Sequence, residues 1–245
     1  MCTLSWRRHD QALEILFNRD ESLARPEAEP PSEEVISGTR VLAPRDPTGG
    51  GTWLWTNEYG LTLCLLNNYQ AQNNEPVNGQ RSRGLLALDL APLASMAQLE
   101  QHLHATDCSL YQPFYLIVFS PRQSPAGWCW DGRSLKATST PNNPVSTSSL
   151  YPRLVPRLRQ FYYRTATING LRTLTTEQHL RLHRSRKPWP PAFAIAMSRP
   201  DRGTVSLTRV RISDAEARMD YWPGDPSQNQ CEVHTQHLPL SSGFY

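Results

Sequence analysis

Long apolar runs are absent from this sequence of 245 residues. None approaches the roughly 20 residues that a helix needs to span a bilayer. The first residues also lack the continuous apolar core of a secretory signal peptide, because Arg7, Arg8, His9 and Asp10 interrupt it. The sequence therefore predicts a cytoplasmic protein without a transmembrane segment.

Cysteine is scarce and scattered, with five residues and no Cys-x-x-Cys pair. This pattern argues against a zinc knuckle and against a disulfide framework. Cys64 and Cys129 stand in apolar runs and are expected to be core thiols. His179 and His183 have the i, i+4 spacing that suits a metal, but no acidic residue stands at the usual adjacent position. The sequence accordingly predicts no metal site and no cofactor.

Hydrophobic periodicity is present, and it predicts an α+β chain that forms a single domain over residues 1–245. A chain of this length buries about 70–75% of its unfolded surface around one core. Predicted strands cluster at both ends of the chain around central helices. Beyond an opening hairpin, strands are expected at 35–42, 52–56, 61–66, 114–119, 128–130, 193–197, 205–212 and 218–221. Helices are expected at 83–90, 95–104, 150–164 and 175–183, a loop at 134–149, and an irregular polar tail from about Trp222.

The opening hairpin is predicted from two short period-two runs. Leu4 and Trp6 alternate with polar residues, and so do Leu13, Ile15 and Phe17. The polar residues 9–12 between the runs are typical of a turn.

The register of this hairpin decides what faces Cys2. A symmetric turn makes partner numbers sum to 21, so that Cys2 lies opposite Arg19, with Cβ atoms about 4.5–5.5 Å apart. A three-residue turn would instead place Asn18 or Asp20 opposite Cys2.

Cys2 directly follows Met1, and this position gives it a distinct chemistry. A small second residue normally permits removal of the initiator methionine, which leaves a thiol and a free α-amine on one residue. The thiol can attack a carbonyl, and the amine can take and return the proton. The sequence therefore points to an N-terminal cysteine nucleophile.

Several segments together resemble the NRDE family, which includes the transport and Golgi organisation proteins. The family name spells the residues Asn18-Arg19-Asp20-Glu21. The other matching features are Met1-Cys2, Arg25-Pro26, Gly50-Gly51-Thr52-Trp53, Asn68-Tyr69, Arg83-Gly84 and residues 204–208. The family in turn resembles cysteine N-terminal-nucleophile hydrolases such as bile-salt hydrolases and penicillin V acylases. That resemblance implies a four-layer αββα sandwich of two mostly antiparallel sheets.

The resemblance also implies roles for individual residues. Cys2 would be the nucleophile, Arg19 would bias the thiol toward thiolate, and Asp20 would orient the ammonium of Cys2. Asn68 would donate its amide to the developing oxyanion. Residues expected to contact substrate are Asn18, Glu21, Trp53, Tyr69, Thr147 and Ser206. Gly50 and Gly51 are expected to set backbone geometry close to the site.

Two departures from the relatives' pattern stand in the later part of the chain. Many relatives have Gly-Leu-Ser-Asn where this chain has Pro144-Val145-Ser146-Thr147. A later Thr-Arg-Ser motif is replaced by Thr204-Val205-Ser206. Thr147 can still donate a hydrogen bond, whereas Val205 cannot replace a guanidinium.

The sequence is therefore compatible with two functions. The first is an amidohydrolase that cleaves a non-peptide C–N bond of a small molecule through a thioester on Cys2. The second is a binding or trafficking module for haem or another hydrophobic anion that has lost turnover. The second fits residues 151–211, which hold thirteen Lys/Arg against two acids, and tryptophans that were expected to be exposed. The basic residues match no recognised nucleic-acid module, so nucleic acid is not an expected partner. The oligomeric state is left open.

Overall fold

Two antiparallel sheets, stacked face to face, form the centre of the computed structural model, which describes residues 2–9, 12–71, 81–138, 141–167, 174–228 and 232–241. The strands are β1 (Cys2–His9), β2 (Ala12–Ser22), β3 (Glu29–Ile36), β4 (Thr39–Arg45), β5 (Leu54–Asn57), β6 (Thr62–Asn67), β7 (Phe114–Phe119), β8 (Ala126–Trp130), β9 (Leu135–Thr138), β10 (Val145–Thr147), β11 (Arg202–Ile212), β12 (Glu216–Pro223) and β13 (His234–Pro239). The first sheet has the order β10-β1-β2-β11-β12-β13, and the second runs from β3 to β9 in sequence order.

Four helices cover the outer faces of the sheets: α1 (Arg83–Asp89), α2 (Met96–Ala105), α3 (Leu154–Ala166) and α4 (Thr176–His183). Leu86 of α1 and Leu99 of α2 pack into a core on the outer face of the second sheet. Leu180 of α4 packs against Leu16 and Leu207 on the outer face of the first sheet. A third core fills the space between the two sheets. The four-layer αββα arrangement expected from the sequence is confirmed.

The opening hairpin has the predicted symmetric register. Cys2 pairs with Arg19 and His9 pairs with Ala12, so that partner numbers sum to 21. Leu4, Ile15 and Phe17 face the core between the sheets, as the alternation predicts. β1 also pairs with β10 on its other side, and there Cys2 lies opposite Thr147.

The first half of the chain differs from the sequence prediction at one hairpin. A single strand was expected at 35–42, but β3 and β4 form two strands joined at Ser37-Gly38. Both turn residues have positive φ, 48° and 84°, a conformation that glycine adopts without steric cost. β3 begins at Glu29, so it also takes in Pro30 and Pro31.

The second half differs at four places. The expected loop 134–149 contains β9 and β10, and the expected strand 193–197 is instead an irregular segment after a short 3-10 helix at Pro191–Phe193. Pro156 does not interrupt α3, because this helix begins at Leu154 and a proline in the first turn has no N–H to satisfy. The chain after Trp222 is not an irregular tail, since β13 completes the first sheet beside β12. Its polar composition follows from its position at the sheet edge.

Several tryptophans are buried, contrary to the expectation of exposed rings, although Trp128 and Trp130 are the two whose sequence context predicts a place in the core. Trp53, Trp55, Trp128 and Trp130 are buried, while Trp189 is 78% exposed. Within the described residues, no helix combines the length and the apolar character needed to cross a membrane.

Candidate active site

A pocket of about 360 Å³ opens where β1, β2, β6 and α1 meet, and Cys2 is one of the residues that line it. Arg19, Asp20 and Glu21 line it from the end of β2, Gly51 to Trp53 from the approach to β5, and Arg83 and Gly84 from α1. A volume of this size falls in the range of small-molecule sites. The structure thus brings Cys2, Arg19, Asp20, Glu21 and Trp53 together, five of the residues predicted from sequence.

Cys2 is held in the middle of the first sheet, between β2 and β10, and only 8% of its surface is exposed. Burial raises the pKa of the Cys2 thiol above its ordinary value, and the charge of Asp20 adds to this effect. The main-chain N–H of Asp20 and the Arg19 guanidinium act in the opposite direction. Arg19 is therefore one of the groups that favour the thiolate.

Arg19 faces the space between the sheets and is fixed by an aromatic ring and two carboxylates. Its guanidinium carbon lies 4.4 Å from the centre of the Trp53 ring, an arrangement typical of a cation–π contact. Nη2 lies 3.6 Å from Oε2 of Glu21 and 3.8 Å from Oδ2 of Asp46. These contacts hold a positive charge directly across the ladder from Cys2.

Asp20 projects to the opposite face of the sheet, where it is completely buried. Its Oδ1 accepts a hydrogen bond from Thr204 Oγ1 at 2.6 Å, and Oδ2 lies 3.4 Å from Nη1 of Arg159. Both charged side chains have no exposed surface. A buried carboxylate requires such a partner, because desolvation disfavours its charged form.

Arg159 is a site residue that the sequence reasoning missed. It lies on α3, and its Nη1 contacts Thr3 Oγ1 at 2.9 Å and Ser146 Oγ at 3.2 Å. Ser146 in turn donates to the main-chain oxygen of Cys2 at 3.3 Å. Arg159 stands between Val155 and Tyr163 in the buried i, i+4, i+8 stripe of α3. A guanidinium in the middle of an apolar stripe was the signal that could have revealed it.

Val205 occupies a β-bulge, which explains how the chain accommodates the departure from the relatives' motif. The ladder between β2 and β11 shifts between Thr204, opposite Asp20, and Ser206, opposite Arg19. Bulges re-aim neighbouring side chains and are common beside functional sites. Here the bulge accompanies a hydrogen bond from Thr204 to Asp20, whose other carboxylate oxygen lies 3.4 Å from Nη1 of Arg159.

Asn68 and Tyr69 lie at the end of β6 but outside the group of residues that line the pocket. The Asn68 amide donates to the main-chain oxygen of Trp130 at 3.3 Å and to Cys129 Sγ at 3.4 Å. The Tyr69 hydroxyl accepts from Asn67, which itself lines the pocket. As placed here, Asn68 does not direct its N–H groups toward Cys2.

The other residues expected to contact substrate divide between the two faces of the first sheet. Asn18 faces the helices, where its amide donates to the main-chain oxygens of His183 at 2.8 Å and Ile195 at 3.0 Å. Thr147 and Ser206 are buried in the strands that flank Cys2 and Arg19. Asn18 thus anchors a helix, while Thr147 and Ser206 lie next to the predicted nucleophile and its cation.

His179 and His183 belong to a buried network behind the sheet. Their Nε2 atoms lie 2.7 Å and 2.6 Å from Ser5 Oγ. His179 Nδ1 donates to Glu14 Oε1 at 2.7 Å, and His183 Nδ1 donates to Asn18 Oδ1 at 2.8 Å. The i, i+4 spacing of these histidines therefore joins α4 to β1 and β2.

Solved structures of similar fold include three hydrolases. The C2A mutant of the conjugated bile acid hydrolase from Clostridium perfringens aligns with a TM-score of 0.58 at 11% identity and covers 99% of both chains. The N-acylethanolamine-hydrolyzing acid amidase ortholog from Caenorhabditis elegans gives 0.58 at 11% identity, covering 98% of this chain and 100% of that one. Penicillin V acylase from Agrobacterium tumefaciens gives 0.53 at 10% identity, covering 96% and 90%.

At such low identity these similarities establish the N-terminal-nucleophile hydrolase fold and nothing about activity. A search of curated protein sequences finds no match. The sequence profile of the family "Transport and Golgi organisation 2" matches residues 1–168, more than half of the chain. The protein belongs to the Transport and Golgi organisation 2 family, the NRDE family expected from its sequence.

Proposed function

We propose that the protein is an N-terminal-cysteine amidohydrolase that cleaves a non-peptide C–N bond of a small molecule through a thioester on Cys2. The observation that carries the proposal is the pairing of Cys2 with Arg19 at a pocket of ligand size. A thiol, a cation that favours its ionisation and room for a substrate are the elements of covalent acyl transfer.

The reaction follows from the groups on Cys2 once Met1 has been removed. The α-amine takes the thiol proton, and the sulfur attacks the substrate carbonyl carbon to give a tetrahedral oxyanion. The resulting ammonium then protonates the leaving nitrogen, the C–N bond breaks, and an acyl thioester remains on Cys2. Water, deprotonated by the same amine, cleaves the thioester and restores the thiol. The family resemblance implies that the Asp20 carboxylate orients the ammonium, and the main-chain N–H of Asp20 hydrogen-bonds the Cys2 thiol.

Unsatisfied polar atoms near Cys2 support a polar ligand at this place. In the described part of the chain, Trp53 Nε1 and Thr147 Oγ1 are buried without a hydrogen-bond partner. An unpaired buried polar group costs about 1–3 kcal/mol, and such groups call for an explanation in a folded protein. Trp53 lines the pocket, and Thr147 pairs with Cys2. Both can donate a hydrogen bond to a substrate oxygen, the role that the sequence assigned to Asn68.

The test begins with the intact mass of the purified protein, which shows whether Cys2 is the first residue. Labelling with iodoacetamide at pH 8 should modify Cys2 faster than the buried Cys108, which serves as the internal control. A panel of N-acyl amines is then screened for amine release, and Cys2→Ala should abolish it while Cys108→Ala should not. Retention of Met1, or turnover that survives Cys2→Ala, would refute the proposal.

A second cleft favours the alternative function, binding of haem or another apolar anion. This cleft has a volume of about 410 Å³, and its apolar wall includes Tyr115, Ile117 and Val145. Arg157 of α3 and Arg153, which directly precedes this helix, supply positive charge at its rim. An apolar wall with cations at the edge suits a flat or elongated hydrophobic carboxylate.

Haem titration, followed by the Soret band, tests this alternative. The expected result is a saturable spectral shift at micromolar protein, weakened several-fold by Arg157→Gln. Arg218→Gln, which removes an arginine from β12, serves as the matched control. An unsaturable shift, or equal weakening in the two variants, would count against a haem site in this cleft.

A further inference from the structure

The arginines of the Cys2 pocket differ in whether a carboxylate neutralises them. We propose that Arg83 binds an anionic group of the substrate, so that the amide cleaved at Cys2 carries a carboxylate or a similar oxyanion. The inference rests on the proposed function, because it concerns the ligand of the same pocket. It names a substrate class, a small anionic amide, and the residue that recognises it.

Among the described residues, four arginines and three acidic residues line the pocket. Arg25 forms an ion pair with Asp46 at 2.6 Å, and Arg19 lies within 4 Å of Asp46 and Glu21. Asp20, the third acid, is directed to Arg159 on the other face of the sheet. Within the described part of the chain, these three carboxylates form their close ion pairs with arginines other than Arg83, and Glu21 acts on Arg83 only through its more distant charge.

Arg81 and Arg83 make different contacts, although they stand two residues apart. Arg81 pairs with Asp89 at 2.9 Å and donates to the Tyr111 hydroxyl at 3.0 Å. Arg83 donates one hydrogen bond, from Nη1 to the main-chain oxygen of Pro113 at 2.9 Å. Across the described ranges, no carboxylate lies within 4 Å of the Arg83 guanidinium. Burial lowers the pKa of Arg83, the direction expected for a cation whose charge is incompletely compensated.

The backbone around Arg83 is fixed by a close contact between two glycines. A Cβ placed on Gly51 would lie 2.3 Å from the carbonyl carbon of Gly84, so only glycine fits there. Thr52 N–H donates to the Gly84 oxygen at 3.2 Å. The first turn of α1 therefore lies directly against residues 51–53, the segment that leads into β5. This contact places Arg83 at the pocket wall.

A half-buried guanidinium with unused N–H groups is suited to an oxyanion. Its planar fork can bind both oxygens of a carboxylate, and such charge-assisted bonds are stronger than neutral ones. The anion would fill the place that a protein carboxylate fills for the other three arginines. A neutral amide would leave this charge uncompensated.

Two alkylating reagents of nearly equal size test the proposal without knowledge of the substrate. Iodoacetate is anionic and iodoacetamide is neutral, and both modify a thiol. We expect the ratio of their rates at Cys2 to exceed the ratio at a free N-terminal-cysteine peptide. Arg83→Gln should lower the ratio by about tenfold, the factor that corresponds to one charge-assisted hydrogen bond.

Arg81→Gln is the matched control, because it removes an equal charge from the same pocket wall. It should change the ratio less than twofold, since Asp89 already neutralises Arg81. Equal effects of the two variants would overturn the proposal, because they would show that the overall positive charge of the pocket, and not Arg83 in particular, attracts the anionic reagent. An unchanged ratio with a reactive Cys2 would overturn it and leave the proposed function intact. A Cys2 that reacts with neither reagent would contradict the proposed function itself, and the inference with it.

A protection experiment on the wild-type protein tests the proposal without any variant, so it does not depend on whether the variants fold. N-Acetylglycine carries its carboxylate on the amine side of the amide, and succinamate carries it on the acyl side. At least one of them should protect Cys2 from iodoacetamide at concentrations where N-acetylglycinamide and succinamide do not. Equal protection by the anions and their neutral counterparts would overturn the proposal.

Discussion

Two guanidinium groups flank the first residues of β1 on opposite faces of one sheet. Arg19 lies on the inner face, across the ladder from Cys2, and Arg159 lies on the outer face against Asp20. The two charges have different tasks. Arg19 acts on the thiol, whereas Arg159 compensates the carboxylate that would orient the amine of Cys2.

Replacing Arg19 by methionine should make Cys2 a weaker nucleophile near neutral pH. Burial raises the pKa of the Cys2 thiol and Arg19 opposes this effect, so loss of the cation raises the pKa further. Alkylation by iodoacetamide at pH 8 should slow by up to about tenfold, the change that one pKa unit produces. The difference in alkylation rate between the wild-type protein and the variant should shrink as the pH rises, because the Cys2 thiol then ionises in both proteins. Arg218→Met is the control, and a rate ratio independent of pH would contradict the assignment.

The buried pair of Asp20 and Arg159 should show strong energetic coupling. Arg159→Met leaves a buried carboxylate without its cation and should cost about 3–5 kcal/mol of unfolding free energy in urea titrations. The double variant with Asp20→Asn should lose less than the sum of the single losses, by about 0.5–3 kcal/mol. The pair of Arg199 and Asp201, whose carboxylate is largely exposed, should give a coupling below about 1 kcal/mol. Additive losses at Asp20 and Arg159 would contradict a direct interaction.

At the scale of elements, α4 is attached to the first sheet through a polar network. Ser5 of β1 contacts the side chains of both His179 and His183. The Asn18 side chain of β2 accepts a hydrogen bond from His183 Nδ1 and donates one to the main-chain oxygen of His183. Burial lowers the pKa of His183 well below its ordinary value. Hydrogen bonds from His179 and Arg7 outweigh the effect of burial on Glu14 and hold the pKa of this carboxyl at about 2.

The unfolding free energy should fall as the pH decreases below about 6.5, the pKa of histidine in an unfolded chain. His183 has a lowered pKa in the folded state, so the unfolded state binds more protons and acid favours unfolding. Urea titrations between pH 8 and pH 5 should show a slope that approaches about 1.4 kcal/mol per pH unit for each such histidine. Glu14 stays ionised in this range, because its contribution is lost only below about pH 4.5 as the pH falls toward 2.

His183→Gln should reduce this slope by about 1.4 kcal/mol per pH unit, the contribution of one bound proton. The matched control is His104→Gln, since the His104 side chain is 60% exposed and its loss should leave the slope unchanged. A slope that His183→Gln does not alter would show that other groups carry the acid sensitivity.

At the scale of the whole molecule, the last strand is part of the core between the sheets. Leu238 of β13 is completely buried there. Leu238→Ala should therefore cost about 2–5 kcal/mol of unfolding free energy. Val233→Ala, at a position that is 40% exposed, should change it by no more than about 0.5 kcal/mol. Equal effects of the two variants would mean that this part of the chain contributes little to the fold.

Local patterns predicted several elements whose neighbours are close in sequence, although they missed the hairpin of β3 and β4 and the strand β9. The register of β1 and β2 followed from alternation and a short symmetric turn, and it placed Arg19 opposite Cys2. The helix cap at Ser95 was also visible in sequence.

The remaining parts depend on contacts between distant residues. β10 is three residues long and pairs with β1 across 141 to 145 positions, a separation that no local periodicity reveals. The contact of Arg159 with Asp20 spans 139 positions. Such pairings are set by the packing of whole layers, which is why the outer half of the site emerged only from the structure.

The strand order of the first sheet also has a consequence for synthesis on the ribosome. β1 and β2 are made early, but β10 and β11, which enclose them, follow about 140 and 200 residues later. At elongation rates of about 5–20 residues per second, β11 emerges roughly 10–40 s after β1. Until β10 emerges the hairpin has no neighbours in its sheet, and until β11 emerges β2 has none on its other side, so Cys2 is open to processing enzymes early in synthesis. The removal of Met1 that the proposed function requires would therefore take place on the nascent hairpin, before the sheet closes around Cys2.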